Sequence, residues 1–178
     1  MRRLVGITGA VALAAALVAS VSAATYLPNK WRANPPFTVT MVNVSVTRPE
    51  LVIGLQQAAA AWSASSVLDV VIGGKGNNKV QAYEVNLPSQ QLIGWADIQG
   101  VAGKGYIKTA AVTFNDAYIG TIFTQDYYTG IVCHEIGHAL GLDHVETPDP
   151  ESTCMTPGPS GPNPSAQDFI NLAALYGG

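Results

Sequence analysis

Histidine and cysteine are both scarce in this 178-residue chain, which has three histidines and two cysteines. All three histidines fall between positions 134 and 144, so none is left to ligate a metal ion elsewhere. Neither cysteine lies near the amino terminus, which argues against a lipid-anchored start of the chain.

Positive charge is also scarce. Nine Lys and Arg residues stand against twelve Asp and Glu, and the formal net charge is −3. A nucleic-acid-binding surface requires a cluster of basic residues, so we expect no nucleic-acid partner. The sequence has no internal repeat, no low-complexity tail and no sign of a second domain.

The longest apolar run is at the amino terminus. It follows Met1-Arg2-Arg3, extends from Leu4 to Val18, and is too short to span a membrane comfortably. Residues 21–23, Val-Ser-Ala, have the small side chains of a signal-peptidase site. We therefore predict a signal peptide over residues 1–23, a single domain over 24–178 and secretion; a retained membrane anchor is the alternative.

The three histidines belong to the stretch C-H-E-I-G-H-A-L-G-L-D-H at positions 133–144. On a helix, His134 and His138 lie one turn apart on the same face, so both rings can reach one metal ion. Gly141 then allows the chain to reverse, which can bring His144 back as a third ligand. Three protein ligands leave the fourth position of a tetrahedral zinc ion to water, as in catalytic sites.

Glu135 lies beside the histidine pair and is predicted to act on that water as a general base, without ligating the ion. A solitary His-Glu pair is more often solvated surface. The added glycine and third histidine favour a zinc site here.

The stretch from His134 to His144 resembles the zinc-binding signature of the metzincin metallopeptidases, and it is most similar to the matrixin branch. The resemblance implies an α+β, metzincin-like zincin fold: a twisted mixed β-sheet with three helices, and an active-site cleft between a larger N-terminal and a small C-terminal subdomain. It also implies a secreted zinc endopeptidase in which Glu135 takes a proton from a zinc-activated water and passes it to the leaving amine. We expect a monomer that binds an extended protein or peptide substrate.

Hydrophobic periodicity predicts the remaining elements. A capping box at Thr47 and Glu50 predicts a helix whose inward face carries Leu51, Leu55, Ala58, Ala59 and Trp62. The shifted apolar phase at Met41 and Val42 indicates a bulge or a strand buried on both faces. Predicted strands cover residues 37–46, 68–72, 80–87, 92–98 and 106–114, and a last helix covers 165–177.

By the resemblance, Gly94, Trp95, Ala96, Asp97 and Ile98 form the edge strand beside the cleft, onto which an extended substrate adds as a further strand. An ordinary strand capped by a loop is the alternative.

Met155, two residues before Pro157, resembles the Met-turn that lies beneath the zinc histidines in metzincins. A single methionine is more often core filler. Asp168 either braces this turn, as the resemblance implies, or caps the last helix with Ser165. Thr156 replaces an aromatic residue of matrixins, and residues 158–162 replace their usual pocket wall, so matrixin specificity is not carried over.

If the Met-turn lies under the zinc helix, Cys133 and Cys154 come close together. In an oxidising compartment we then predict a disulfide, with two buried thiols as the alternative.

Other matrixin features are missing from the sequence. It has no histidines for a structural zinc site, and it leaves calcium open only through Asp97 or Asp116. No cysteine-switch propeptide separates the predicted signal from the domain, so we expect activity without further processing. Two rivals remain: a catalytically silent zinc-binding module, and a zinc hydrolase directed at cell-wall peptides or another amide.

Overall fold

The computed structural model describes residues 27–120, 123–145, 152–158 and 161–177. The predicted signal peptide and the acidic segment 146–151 lie outside these residues. The elements, in chain order, are β1 (Phe37–Asn43), α1 (Pro49–Trp62), β2 (Leu68–Ile72), β3 (Asn78–Val85), β4 (Gly94–Val101), β5 (Tyr106–Asn115), α2 (Gln125–Ala139) and α3 (Ala166–Tyr176). None of the helices in the described ranges is long and apolar enough to cross a membrane.

The five strands form one mixed sheet in the order β2-β1-β3-β5-β4. β1 pairs in parallel with β2 and β3, and β3 pairs in parallel with β5. β4 is antiparallel to β5 and lies at one edge of the sheet. A mixed sheet with three helices is the architecture that the sequence predicts.

β1 is buried on both faces, because Val39, Thr40 and Met41 are consecutive and all buried. Burial on both faces explains why apolar residues do not alternate regularly at Met41 and Val42. The strand ends at Asn43, so the prediction that it reaches Val46 is wrong. The Asn43 side chain accepts a hydrogen bond from Val46 N–H (2.8 Å) and donates one to Val46 O (3.0 Å), and these bonds close a turn that stops the ladder.

The predicted capping box of α1 is also wrong. The helix begins at Pro49, which lacks an N–H and suits the first helical position, and its N-cap residue, Arg48, makes no side-chain cap. The carboxylate of Glu84, on β3, instead accepts hydrogen bonds from the N–H groups of Thr47 (2.7 Å) and Arg48 (2.9 Å). The carboxylate of Glu84, which is distant in sequence, therefore takes the part that was predicted for Glu50.

The predicted inward face of α1 is confirmed, since all five of its apolar residues are buried. This face packs against α2, where the Trp62 indole N–H donates to Cys133 O at 3.1 Å. Because Cys133 precedes the histidine pair, α1 helps to fix the part of α2 that carries the candidate ligands.

β3, β4 and β5 form close to their predicted positions, but β4 extends to Val101. Pairing of β4 with β5 continues past a register shift at Gln99 and Gly100 and reaches Val101 opposite Tyr106. The glycine-rich connection therefore shrinks to the tight turn at residues 102–105.

Candidate metal centre

Helix α2 carries His134 and His138 and ends immediately after them, at Ala139. Gly141 has φ +98°, a left-handed conformation that side chains rarely adopt. A Cβ at this position would also lie 2.9 Å from Asn29 O. The glycine therefore permits both the reversal and the close approach of the amino-terminal segment, and the reversal returns His144 to the other two rings.

The carbonyls at the end of α2 are held by partners from both ends of the chain. The Trp31 indole N–H donates to Ala139 O (2.9 Å), the Tyr176 hydroxyl donates to Leu140 O (2.8 Å), and Leu27 N–H donates to Gly141 O (2.8 Å). Helix ends leave such carbonyls without intrahelical donors. The turn that positions His144 is therefore fixed by distant segments, for which the sequence carried no signal.

The three histidine rings converge on one point. Their Nε2 atoms are 3.1 Å apart between His138 and His134, and 3.2 Å apart for each of the other two pairs. Two nitrogens bound to one tetrahedral zinc ion at about 2.0–2.1 Å would be about 3.3 Å apart. Within the described residues, this is the one group of three or more His, Cys, Asp or Glu side chains close enough to hold an ion.

Hydrogen bonds on the opposite ring nitrogens favour the same conclusion. His134 Nδ1 lies 2.6 Å from Cys154 O, and His138 Nδ1 lies 2.9 Å from Leu142 O. A carbonyl only accepts, so each Nδ1 carries the proton and each Nε2 presents a lone pair. Because lone pairs at this separation repel one another, the donor set fits a shared cation, and neutral imidazoles suit zinc.

Burial reinforces the neutral state of these rings. It lowers the pKa of His134 to about 4, with a further contribution from neighbouring His138. Burial also lowers the pKa of His138. A ring that is neutral at neutral pH needs no deprotonation to bind a metal ion.

Met155 lies directly beneath this part of α2 and is fully buried. Its side chain packs against Gly137, between the two helical histidines: a Cβ at Gly137 would lie 2.8 Å from Trp62 Cζ2 and closer still to Met155 Sδ. The structure also forms the disulfide between Cys133 and Cys154, whose Cα atoms are 5.8 Å apart. The disulfide thereby joins α2 to the segment whose carbonyl holds His134.

Asp168 makes both of the contacts that the sequence left as alternatives. It forms a capping box with Ser165 at the start of α3, with Ser165 N–H donating to Asp168 Oδ2 at 2.7 Å. The same oxygen accepts a hydrogen bond from the Thr153 hydroxyl, which in turn accepts one from Met155 N–H at 3.1 Å. Asp168 therefore links α3 to the turn at Met155.

Glu135 is buried beside the histidines, and burial raises the pKa of its carboxyl to about 8. A nearby cation would act in the opposite direction. Its Oε1 approaches β4 where Gly94 has no side chain; a Cβ there would lie 3.1 Å from this oxygen. Glu135 and the histidines line one cavity of about 470 Å³ together with the start of β4.

Three of the five residues predicted for the edge strand line this cavity, namely Gly94, Trp95 and Ala96. Asp97 accepts a hydrogen bond from the Trp95 indole N–H at 3.0 Å, and Ile98 pairs with Ala110 of β5. Asp116 forms an ion pair with Arg48. These contacts do not test calcium binding by Asp97 or Asp116, which the sequence only leaves open.

Several cavity residues were missed by sequence reasoning. Leu92 and Ile93, before β4, form part of its lining together with Tyr127 and Ile131 of α2. The helical pair could have been found, since residues 127 and 131 are one turn apart and lead to Glu135 at the same spacing. Leu92 and Ile93 lie in an irregular connection, where no periodic spacing points to the site.

Fold and site together define a mixed α/β domain with a three-histidine metal-binding cluster, an adjacent carboxylate and an edge strand along one cavity. No protein-family model matches the chain. The chain is 29% identical over 157 residues to a human protein described as disintegrin and metalloproteinase domain-containing protein 9. The match covers 78% of this chain but only 18% of that relative, so the chain spans less than a fifth of its length.

Proposed function

We propose that this chain is a secreted, metzincin-like zinc endopeptidase. The observation that carries the proposal is the arrangement of His134, His138 and His144, whose Nε2 atoms lie 3.1–3.2 Å apart beside the buried carboxyl of Glu135. Similarity to a protein described as having a metalloproteinase domain supports it. The matrixin-like subtype rests on the sequence resemblance.

The three histidines would hold the ion, and zinc bound there would supply Lewis acidity that polarises a carbonyl and acidifies water. Glu135 lies on the next position of the helix from His134 and borders the same cavity. We assign it the transfer of a proton from the attacking water to the leaving amine. Hydrolysis would then proceed without a covalent link between enzyme and substrate.

Substrate binding would use β4. Among the described residues this strand pairs only with β5, so its outer edge can accept an extended peptide as an additional antiparallel or parallel strand. The cavity adjoins the start of the strand, at Gly94, Trp95 and Ala96. A peptide paired there would run past Glu135.

The test separates metal binding from chemistry. Glu135→Gln keeps the shape of the side chain but removes the base, so we expect about one zinc ion per chain and a loss of casein cleavage of about 10²–10⁴-fold. His138→Ala should instead weaken zinc binding, because only two protein ligands remain. Zinc content is measured by elemental mass spectrometry. Casein cleavage is measured with and without a zinc chelator.

Glu50→Gln is the matched control, since Glu50 lies in the first turn of α1 and is not part of the cavity lining. It should leave both zinc content and cleavage unchanged. Near-normal cleavage by the zinc-loaded Glu135→Gln variant would contradict the assigned mechanism. Zinc-loaded wild-type protein that cleaves neither proteins, peptide libraries nor peptidoglycan would instead be a binding module, and cleavage of peptidoglycan alone would make it a cell-wall hydrolase.

A further inference from the structure

One wall of the cavity is held little by its own side chains, apart from Ile93, which packs against the core. This wall segment, residues 86–93, connects β3 to β4, and every residue from Asn86 to Leu92 is exposed. Leu87 and Leu92 are 44% and 48% exposed. Burial of apolar side chains normally fixes such a connection, so the conformation of this one requires another cause.

That cause is the side chain of Asn115, the last residue of β5. Asn115 is fully buried, and its amide group donates hydrogen bonds to Leu87 O (3.0 Å), Gln90 O (2.9 Å) and Leu92 O (3.1 Å). Its Oδ1 accepts from Leu87 N–H at 2.9 Å and from Ala117 N–H at 3.4 Å. An asparagine amide offers two donor hydrogens and two acceptor lone pairs, and all of them are used here.

The wall segment leads directly into the candidate site. Gln91, Leu92 and Ile93 line the cavity that also contains the three histidines and Glu135. Asn115 itself is not among the lining residues. It therefore acts on the cavity only through the backbone that it holds.

We propose that Asn115 is a positioning residue that fixes the wall segment and thereby sets which substrate side chains the cavity accepts. This inference rests on the proposed peptidase function. Leu92 and Ile93 form an apolar part of the wall and share the cavity with Tyr127 and Ile131. Because these four residues are largely apolar, Asn115 should maintain a preference for substrates with an apolar side chain at this cavity.

Asn115→Asp is the sharpest variant, because the carboxylate keeps the shape and the acceptor of the amide but lacks both donor hydrogens. Three backbone carbonyls would then face an acceptor, and the wall segment should detach over residues 87–92. Ile93 should stay in place, because its carbonyl accepts from the main-chain N–H of residue 115 at 2.8 Å. Contact with a single methylene group in an apolar pocket is worth about 10- to 200-fold in kcat/KM. We expect kcat/KM for the best apolar peptide of a library to fall about 10- to 100-fold.

The fall should appear mainly in KM, since the lost contacts bind substrate in the ground state and the transition state alike. Peptides without the favoured side chain should change little, and zinc content should stay at one ion per chain. Hydrogen exchange of the backbone amides of residues 87–93 should become faster in the variant without any substrate present.

Asn43→Asp is the matched control. Asn43 also bridges both backbone groups of a turn residue, Val46, but at the end of β1 and outside the cavity lining. It should lower stability without altering peptide preference. A second variant, Leu92→Ala, changes the wall directly at an exposed position and should shift the same preference while the fold is retained.

Equal losses for all peptides, or a loss of preference no greater than in Asn43→Asp, would overturn the inference. So would an unchanged preference in Leu92→Ala. If the wild-type protein cleaves no substrate, the proposed function fails, and the exchange measurement alone decides whether Asn115 holds the wall: faster exchange supports that role and unchanged exchange refutes it.

Discussion

The two sides of the cavity are held in opposite ways. On the metal side, His134 is buried, the helix that carries it is joined to the next segment by a disulfide, and Met155 is packed beneath it. On the other side, the wall segment is exposed and depends on the amide of Asn115. The arrangement of the histidines therefore has several buried supports, whereas the wall depends chiefly on the side chain of Asn115. We infer that substitutions change the wall, and with it specificity, more easily than the metal site.

The disulfide is the support on the metal side whose removal should cost most. Cys133 and Cys154 are 21 positions apart. Closing a loop of this size lowers the entropy of the unfolded chain, which raises its free energy by about 3 kcal/mol at 25 °C. The double variant Cys133→Ala/Cys154→Ala should lose about that much free energy of unfolding, measured by urea denaturation at equal zinc loading.

Zinc affinity should also fall in the double variant, because Cys154 O is then less firmly held against His134 Nδ1. Alkylation followed by mass spectrometry provides the check on the bond itself. Two reactive thiols in denatured protein from an oxidising compartment would contradict the disulfide.

The contact between Gly137 and Met155 is the next support. A methyl group at Gly137 would meet both Met155 and Trp62, two fully buried side chains. Overpacking of a tight core costs about 1–3 kcal/mol, so Gly137→Ala should lower the midpoint of thermal unfolding and loosen the helical histidines that flank it.

Gly158→Ala is the control for this variant, since a Cβ at Gly158 would have nothing within 4 Å. It should leave the unfolding midpoint unchanged. If both variants behave alike, Met155 does not pack closely under α2, and the disulfide is then the main support of the helical histidines.

The sequence predicted most of the elements that rest on periodicity and local capping. The inward face of α1, the capping box at Ser165 and Asp168, and the reversal at Gly141 all follow from residue spacing or from the conformational freedom of glycine. The convergence of the histidines follows in the same way, because His134 and His138 are separated by one helical turn.

What the sequence could not predict depends on contacts between distant residues. The start of α1 is governed by Glu84, a residue of another element, so the local Thr47 signal was misleading. Asn115 and Trp31 donate hydrogen bonds to backbone carbonyls. Every residue type has such a carbonyl, so the accepting position carries no signal in the sequence. Tertiary contacts of this kind override local preferences.

The smallest expected effect concerns a hydrogen bond that a second side chain, Tyr118, makes to the wall. The Tyr118 hydroxyl donates to Pro88 O at 2.6 Å, but both groups are exposed and water can replace either partner. Tyr118→Phe should therefore cost about 0.5 kcal/mol, at the lower end for a hydrogen bond, and leave peptide preference unchanged. Buried Asn115 has no such replacement for its three carbonyl partners, so Asn115→Asp should alter preference strongly by the same assay. Hydrogen exchange across residues 87–93 compares the two variants without reference to catalysis. Equal acceleration in both would mean that the wall has two anchors of similar weight, and the contrast between the two sides of the cavity would be smaller than the burial of Asn115 indicates.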